Sequence, residues 1–358
     1  MIVTFIVPSM KFPVGGAKTI FELANGLARL GHQVHLVHFR MPYNYIESPD
    51  EIGWFAFEPG IVHHITTFDD DFSDLPEADI TMPHEAVIIE TLAVLRGTPG
   101  APYPARAGLG ANLVQGYGVM GDRLERPLFA APCPKVCVGS WLIDVGRGLG
   151  VPEEQLVHIP NGIDHDLFEV VTPIEDRPMQ VAMLFHNHPF KRTGLGIEAL
   201  TEVKRRVPEL TVRLFGASEP PTGLPDWMTA TQLPDPATLV EEIYNGSRVM
   251  LCPSITEGFG YTSVEAMASG CALVTAANGG TDDYAVHDRN ALVCAPNDGA
   301  ALADAVEALL VDDARRIRIA RRGQQDSLRF DWATSAGLLE ALLERYLADP
   351  DHFTREIA

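Results

Sequence analysis

The chain has 358 residues, with 27 Lys plus Arg against 48 Asp plus Glu, for a formal net charge of −21. Hydrophobic residues at 46% and charged residues at 21% are globular proportions, which exclude a disordered, collagenous or coiled-coil chain; at roughly 100–200 residues per domain, two domains are expected. The acidic balance excludes the basic footprint of a nucleic-acid binder and argues against electrostatic docking on an anionic membrane.

In chain order, residues 2–7 are a short apolar run of the kind that forms a buried parallel strand. A Gly/Pro-rich turn ending in Gly15-Gly16 follows. Ile20, Leu23, Ala24, Leu27 and Ala28 then recur at helical spacing, and Gly31 is the expected stop. A second strand at 34–37 completes a strand–turn–helix–strand unit, the opening of a doubly wound domain. Further strands are predicted at 79–82, 112–115, 135–138 and 156–159, helices at 85–95 and 141–149, and a loop at 97–104. Pro160-Asn161-Gly162 punctuates the chain and marks the expected hinge.

Beyond it the rhythm restarts. Strands are predicted at 180–185, 210–215, 249–252 and 272–275, and helices at 193–207, 239–244, 263–268, 300–310 and 333–347. The expected architecture is α/β, two consecutive Rossmann-like domains with a ligand at the carboxyl ends of their strands. The five cysteines, Cys133, Cys137, Cys252, Cys271 and Cys294, are sparse and odd in number, which reads as reduced thiols. The apolar run at the start is too short for a signal peptide, and no run of about eighteen apolar residues occurs. A cytoplasmic setting without integral membrane association is expected.

Several familiar chemistries lose ground on spacing. No G-x-G-x-x-G follows the first strand, and Gly16-Ala17-Lys18-Thr19 lacks the upstream glycine of a P-loop. No G-x-S-x-G elbow occurs. The D-x-D patterns Asp69-Asp70-Asp71 and Asp164-His165-Asp166 read as acidic turns, so no metal is expected. His32, His35 and His38 lie in or beside a strand and His63-His64 near a loop; all read as structural or exposed.

The informative segment runs from Glu257 through Gly258, Phe259, Gly260, Tyr261 and Thr262 to Glu265. Glycines on both sides of Phe259 let the backbone approach a ligand. A helix starting near Thr262 turns its N-terminus toward an anion. The two carboxylates, eight apart, can each accept hydrogen bonds from paired hydroxyls, so a sugar and a ribose on either side of a diphosphate would fit.

This E-x7-E segment resembles the signature of the retaining glycosyltransferases of family four, which have the GT-B fold. Ile159-Pro160-Asn161-Gly162-Ile163-Asp164 with Phe168 is similar to the family's hinge. Pro189-Phe190-Lys191 with Gly194 and Glu198-Ala199-Leu200 is similar to its phosphate-lysine stretch, and Gly279-Gly280 with Asp283, Tyr284 and Asn290-Ala291-Leu292-Val293 to the segment after the signature. Gly15-Gly16 matches its N-terminal glycine pair.

The resemblance implies two Rossmann-like domains facing a central cleft. Residues 1–161 plus 333–358 would form the acceptor domain and 162–332 the nucleotide-sugar donor domain, with the C-terminal helix after Trp332 crossing back to the N-terminal domain. It implies transfer of a hexosyl group, mannosyl or glucosyl first, from GDP-mannose or UDP-glucose to a hydroxyl of a soluble saccharide or small metabolite. The mechanism would be metal-independent and same-face, with no cofactor required. Carried over, Glu265 would bind the donor ribose, Glu257 would face the sugar, and the backbone of Gly258, Phe259 and Gly260 would hold sugar hydroxyls. Tyr261 and Thr262 would line the diphosphate, Gly16 would approach it, and Lys191 would neutralise charge on the leaving group.

Two departures stand out. His186 occupies the place of the family's arginine, so that His186 or neighbouring Arg192 would supply a second cation. Gln115 fills the place of a histidine close to the transferred sugar, while His84, at another strand's end, is a candidate to touch sugar or acceptor. A GT-B sugar-nucleotide epimerase and a non-catalytic sugar-nucleotide-binding partner subunit are the rival readings, and a homodimer is compatible with each.

Overall fold

The computed structural model describes residues 1–8, 10–39, 46–66, 75–83, 108–119 and 121–354. The predicted helix at 85–95, the loop at 97–104, the Asp69–Asp71 triplet and His84 lie outside the described residues. The chain divides into two compact units, Met1–Gly162 with Trp332–Ala358, and Ile163–Asp331.

In the first unit, β1 (Ile2–Pro8), β2 (Gln33–Phe39), β3 (Val62–Thr66), β4 (Ile80–Pro83) and β5 (Leu109–Gly110) form a parallel sheet in the order β3-β2-β1-β4-β5. The strands β6 (Asn112–Val114), β7 (Lys135–Cys137) and β8 (Leu156–His158) form a second parallel sheet. Helix α1 (Gly15–Arg29) follows β1 and buries Ile20, Phe21, Leu23, Ala24 and Leu27, the face read from the sequence. It ends before Gly31, whose φ of +90° suits a residue without a Cβ. Helices α2 (Asp122–Ala130) and α3 (Ser140–Gly148) complete this part of the unit.

The second unit is a single six-stranded parallel sheet. Its strands are β9 (Gln180–Leu184), β10 (Thr211–Gly216), β11 (Met228–Gln232), β12 (Val249–Cys252), β13 (Ala272–Ala276) and β14 (Ala291–Cys294), in the order β11-β10-β9-β12-β13-β14. Counted within the unit this is 3-2-1-4-5-6, the doubly wound Rossmann order, with its topological switch between β9 and β12. Helices α4 (Thr193–Arg206), α5 (Tyr261–Ala268), α6 (Gly299–Val311) and α7 (Asp313–Ser327) surround the sheet. The core is built from Val181, Met183, Leu214, Leu251, Val274, Leu302 and their neighbours, all essentially inaccessible to water. Residues 239–244, read as an ordinary helix, form a π-helical segment, Thr238–Tyr244.

The chain then returns to the first unit. Helix α8 (Trp332–Ala348) packs on α1, and the crossing is close because Gly26 has no side chain: a Cβ there would fall 2.4 Å from the Ala336 Cβ. His32 Nε2 lies 2.7 Å from Glu340 Oε1 across the same contact. A short α9 (Pro350–Phe353) packs Phe353 on Tyr346.

No strand is predicted at His63 and His64, which lie at the start of β3, just past the preceding loop. The register gives each face of the β2–β3 pair one histidine couple: His35 Nδ1 and His64 Nε2 at 2.8 Å, His38 Nε2 and His63 Nδ1 at 3.0 Å. Burial, reinforced by His63 and His64, pushes the His38 imidazole down to about 3. Unfolded, it would titrate near 6.5, so below that pH only the unfolded chain takes up the proton. Stability is complete above pH 6.5 and drains away as pH falls toward 3, by about 1.4 kcal/mol per unit. A His38→Leu variant is therefore expected to lose about 2 kcal/mol less stability than the parent between pH 7 and pH 5, measured by denaturant unfolding. An equal loss in both proteins would contradict the assignment.

Candidate functional site

The switch point between β9 and β12 collects the second unit's chemistry. At the carboxyl end of β9 the chain runs through His186 and a 3-10 turn, Pro189–Lys191, into α4; at the end of β12 it runs through 253–260 into α5. The two loops are tied together, because Ile255 N–H donates to the Phe190 carbonyl at 2.9 Å. This juxtaposition brings Lys191 to Glu257: Lys191 Nζ donates to both carboxylate oxygens, at 2.8 and 2.9 Å. The two side chains are only 18% and 13% exposed, so this is not an ordinary surface ion pair. The backbone of Glu257 is itself pinned. Its N–H donates to the Asn278 carbonyl at 2.9 Å, and its carbonyl accepts from Gly280 N–H at 3.1 Å.

The glycine-rich stretch between the carboxylates owes its shape to contacts a side chain would destroy. Gly260 sits at φ +97° as the N-cap of α5, and a Cβ there would fall 2.5 Å from the Tyr284 hydroxyl. The Phe259 ring is buried against Phe330, Tyr261 and Tyr284, with centroids 5.2, 5.5 and 6.1 Å away. It anchors the loop, and the neighbouring glycines leave the backbone as the surface open to close approach. A Cβ at Gly280 would meet the Phe259 carbonyl oxygen at 2.3 Å, so the following loop also packs backbone on backbone. Among the described residues no side chain caps the start of α5, where Tyr261 and Thr262 form the first turn. Such a terminus directs N–H groups and a positive dipole end outward.

Glu265 lies one turn into α5 and is 6% exposed. Its Oε2 accepts a hydrogen bond from the Tyr244 hydroxyl at 3.2 Å. Tyr244 is fully buried, and burial together with the charge of Glu265 keeps its phenol protonated, as a permanent donor. Tyr244 packs edge-on against Phe215 at 5.5 Å and closes the π-helical segment, a distortion often found where a side chain must be re-aimed. Sequence reading missed Tyr244. No motif surrounds it, and its partner on α5 is twenty-one residues away.

His186 and Arg192 flank Lys191 in the chain. Thr193 Oγ1 both accepts from His186 N–H and donates to the His186 carbonyl, each at 2.9 Å. His186 Nδ1 accepts from His188 N–H at 3.0 Å, which leaves the ring proton on Nε2. Burial first, then the charges of Lys191 and His188, lower the imidazole's pKa against the opposing pull of Glu257, so at pH 7 it is neutral. Its Nε2 therefore offers one N–H donor. Arg192 adopts φ +52° at the start of α4, and its buried Nε has no hydrogen-bond partner among the described residues.

The remaining expected positions are in the first unit. Gly15 and Gly16 open α1 just beyond β1, beside that sheet's own reversal of strand order between β1 and β4. Gln115, past the end of β6, donates from Nε2 to the Gly16 carbonyl at 3.1 Å. Asp164 uses its Oδ1 to accept from Asp166 and Leu167 N–H at 3.0 and 3.1 Å, the turn-capping role read for it. Among the described residues no group of three or more His, Cys, Asp or Glu has the arrangement of a metal site.

Residues 181–326, nearly all of the second unit, match the family described as glycosyl transferases group 1. Over 176 residues the chain is 28% identical to the D-inositol 3-phosphate glycosyltransferase of Corynebacterium efficiens, covering 45% of this chain and 42% of that protein. It spans about half the length of the curated relatives it matches. Sucrose-phosphate synthase from Thermosynechococcus elongatus superposes with a TM-score of 0.76 at 17% identity, covering 97% of this chain and 99% of that one. The Anabaena protein HepE, solved in complex with UDP and glucose, gives 0.74 at 16% identity, covering 96% and 100%. At these identities the likeness defines the fold, two α/β lobes with a returning C-terminal helix as in GT-B glycosyltransferases.

Proposed function

We propose that the chain is a retaining glycosyltransferase that moves a hexosyl group from a nucleoside-diphosphate sugar to a hydroxyl of a saccharide or small metabolite. The observation that carries this reading is the constellation at the β9/β12 switch: Lys191 against Glu257, an uncapped helix start, and the Tyr244-braced Glu265. Each part answers one part of such a donor. Lys191 and the first turn of α5, with Tyr261 and Thr262, take the diphosphate. Glu265 accepts from the ribose hydroxyls. Glu257 and the backbone of Gly258, Phe259 and Gly260 take the sugar hydroxyls. Arg192, with its unpartnered Nε, supplies the second positive charge, and neutral His186 adds an Nε2–H donor.

Gly16 keeps its role toward the phosphates on the resemblance alone. His84 keeps its role toward sugar or acceptor on sequence alone. Because no carboxylate is assigned to the far face of the sugar, the departing phosphate oxygen takes the acceptor's proton, and positioning does most of the work. UDP-glucose and GDP-mannose are the first donors to test; the UDP and glucose in the structurally similar Anabaena protein put UDP-glucose ahead.

A ligand that binds only the folded state raises apparent stability. A melting-temperature rise with UDP or GDP, or with their sugars, is expected, and Glu265→Ala should abolish it. No rise with any of them in the parent protein would overturn the reading.

A further inference from the structure

The Lys191–Glu257 pair joins two groups that the proposed function assigns to different parts of the donor. Resting on that reading of the site, we infer that Glu257 is a gate on Lys191: until a sugar nucleotide engages the carboxylate, it holds the ammonium against anions, so that bare diphosphate is disfavoured relative to the intact sugar nucleotide.

The argument starts from the contact. Both oxygens of Glu257 lie within 2.9 Å of Lys191 Nζ. Among the described residues Lys191 is the only ionic partner of Glu257. Both backbones are held in place. Glu257 is fixed through its backbone to Asn278 and Gly280, and the Lys191 turn is held to the neighbouring loop by the Ile255–Phe190 hydrogen bond. The pair is therefore preformed by the fold.

A phosphate group that takes Lys191 must draw it from Glu257, leaving a largely buried carboxylate without its cation. Stranding one member of such a pair is costly, far more so than at the surface. A ligand that brings sugar hydroxyls with its diphosphate supplies donors to the stranded carboxylate and offsets that cost. Inorganic pyrophosphate brings none, and the ribose hydroxyls of UDP and GDP are taken by Glu265, not Glu257. The same asymmetry favours product release, because the pair re-forms once the sugar has left. Discrimination thus comes from a penalty on the wrong ligand as much as from attraction to the right one.

The test is calorimetric titration of the parent protein, Glu257→Gln, and the double variant Lys191→Ala/Glu257→Gln with inorganic pyrophosphate, UDP, GDP, UDP-glucose and GDP-mannose. Glu257→Ala runs in parallel, and a melting curve on each variant establishes that it is folded. Pyrophosphate is expected to bind both single variants at least about tenfold tighter than the parent (about 1.4 kcal/mol). That gain should vanish when Lys191 is also removed, and the preference for sugar nucleotide over bare nucleotide should shrink in Glu257→Gln. Unchanged or weaker pyrophosphate binding overturns the gate. So does a gain that persists without Lys191, since that would be general relief of negative charge. Failure of the parent to bind any sugar nucleotide sinks the donor-site reading instead, and the pyrophosphate comparison still decides whether Glu257 restrains Lys191.

Discussion

Replacing Lys191 with alanine is expected to lower turnover by about two to three orders of magnitude while changing the Michaelis constant for the donor by less than about tenfold. The split follows from the ion pair. In the ground state the diphosphate must compete with Glu257 for the ammonium, so the net binding contribution of Lys191 is small. In the transition state charge accumulates on the departing phosphate, and the same ammonium is worth more there. Arginine at this position should restore little of the loss, because its rigid planar fork does not substitute for a compact ammonium. Steady-state kinetics with saturating acceptor reads the split directly. A variant with unchanged turnover and a weakened donor would place Lys191 in binding alone.

Gly260→Ala is expected to damage both fold and site. The backbone at φ +97° costs an L-residue about 1–2 kcal/mol, and the new Cβ, 2.5 Å from the Tyr284 hydroxyl, adds an overpacking cost of similar size. Tyr284 cannot swing aside cheaply: it is buried, with its ring edge-on to Phe259. A total of about 2–4 kcal/mol would lower the melting temperature by about 5–10 °C, and the displaced start of α5 should weaken nucleotide binding as well. A variant that melts and binds like the parent would mean that this loop does not need its observed backbone.

How far the sequence discloses this arrangement depends on where the information resides. Strands β1, β9, β12 and β13 are short, mainly apolar runs, interrupted only by Thr4, Gln180 and Thr275, because parallel strands are covered on both faces, and that apolar character reveals them. Strand β3 is not predicted, because it carries His63-His64, and its pairing with β2 becomes visible only in the register. Helix α7 escapes notice for a related reason. Its sequence carries five arginines, one of which, Arg316, is fully buried and satisfied by Asp313 and the Ile174 carbonyl. No hydrophobic period announces such a helix.

The candidate site divides the same way. Glu257, Gly260 and Glu265 stand in one short motif whose spacing carries chemical sense. Lys191 comes from a separate stretch, and its contact with Glu257 requires the strand order of the sheet. The hydrogen bonds from Tyr244 to Glu265, from His188 N–H to His186 Nδ1 and from Gln115 to Gly16 arise in three dimensions and have no local signature.

The most direct test of the central claim is to incubate the protein with UDP-glucose and with GDP-mannose, without acceptor and with a metal chelator present, and to follow the products by proton NMR. Slow release of nucleoside diphosphate is predicted from one of the two donors, with free sugar appearing first as the α-anomer, the donor's own configuration. That release should be lost in Lys191→Ala. First appearance of the β-anomer would contradict the same-face mechanism, and no release from either donor, even after soluble saccharide acceptors are added, would contradict the glycosyltransferase assignment itself.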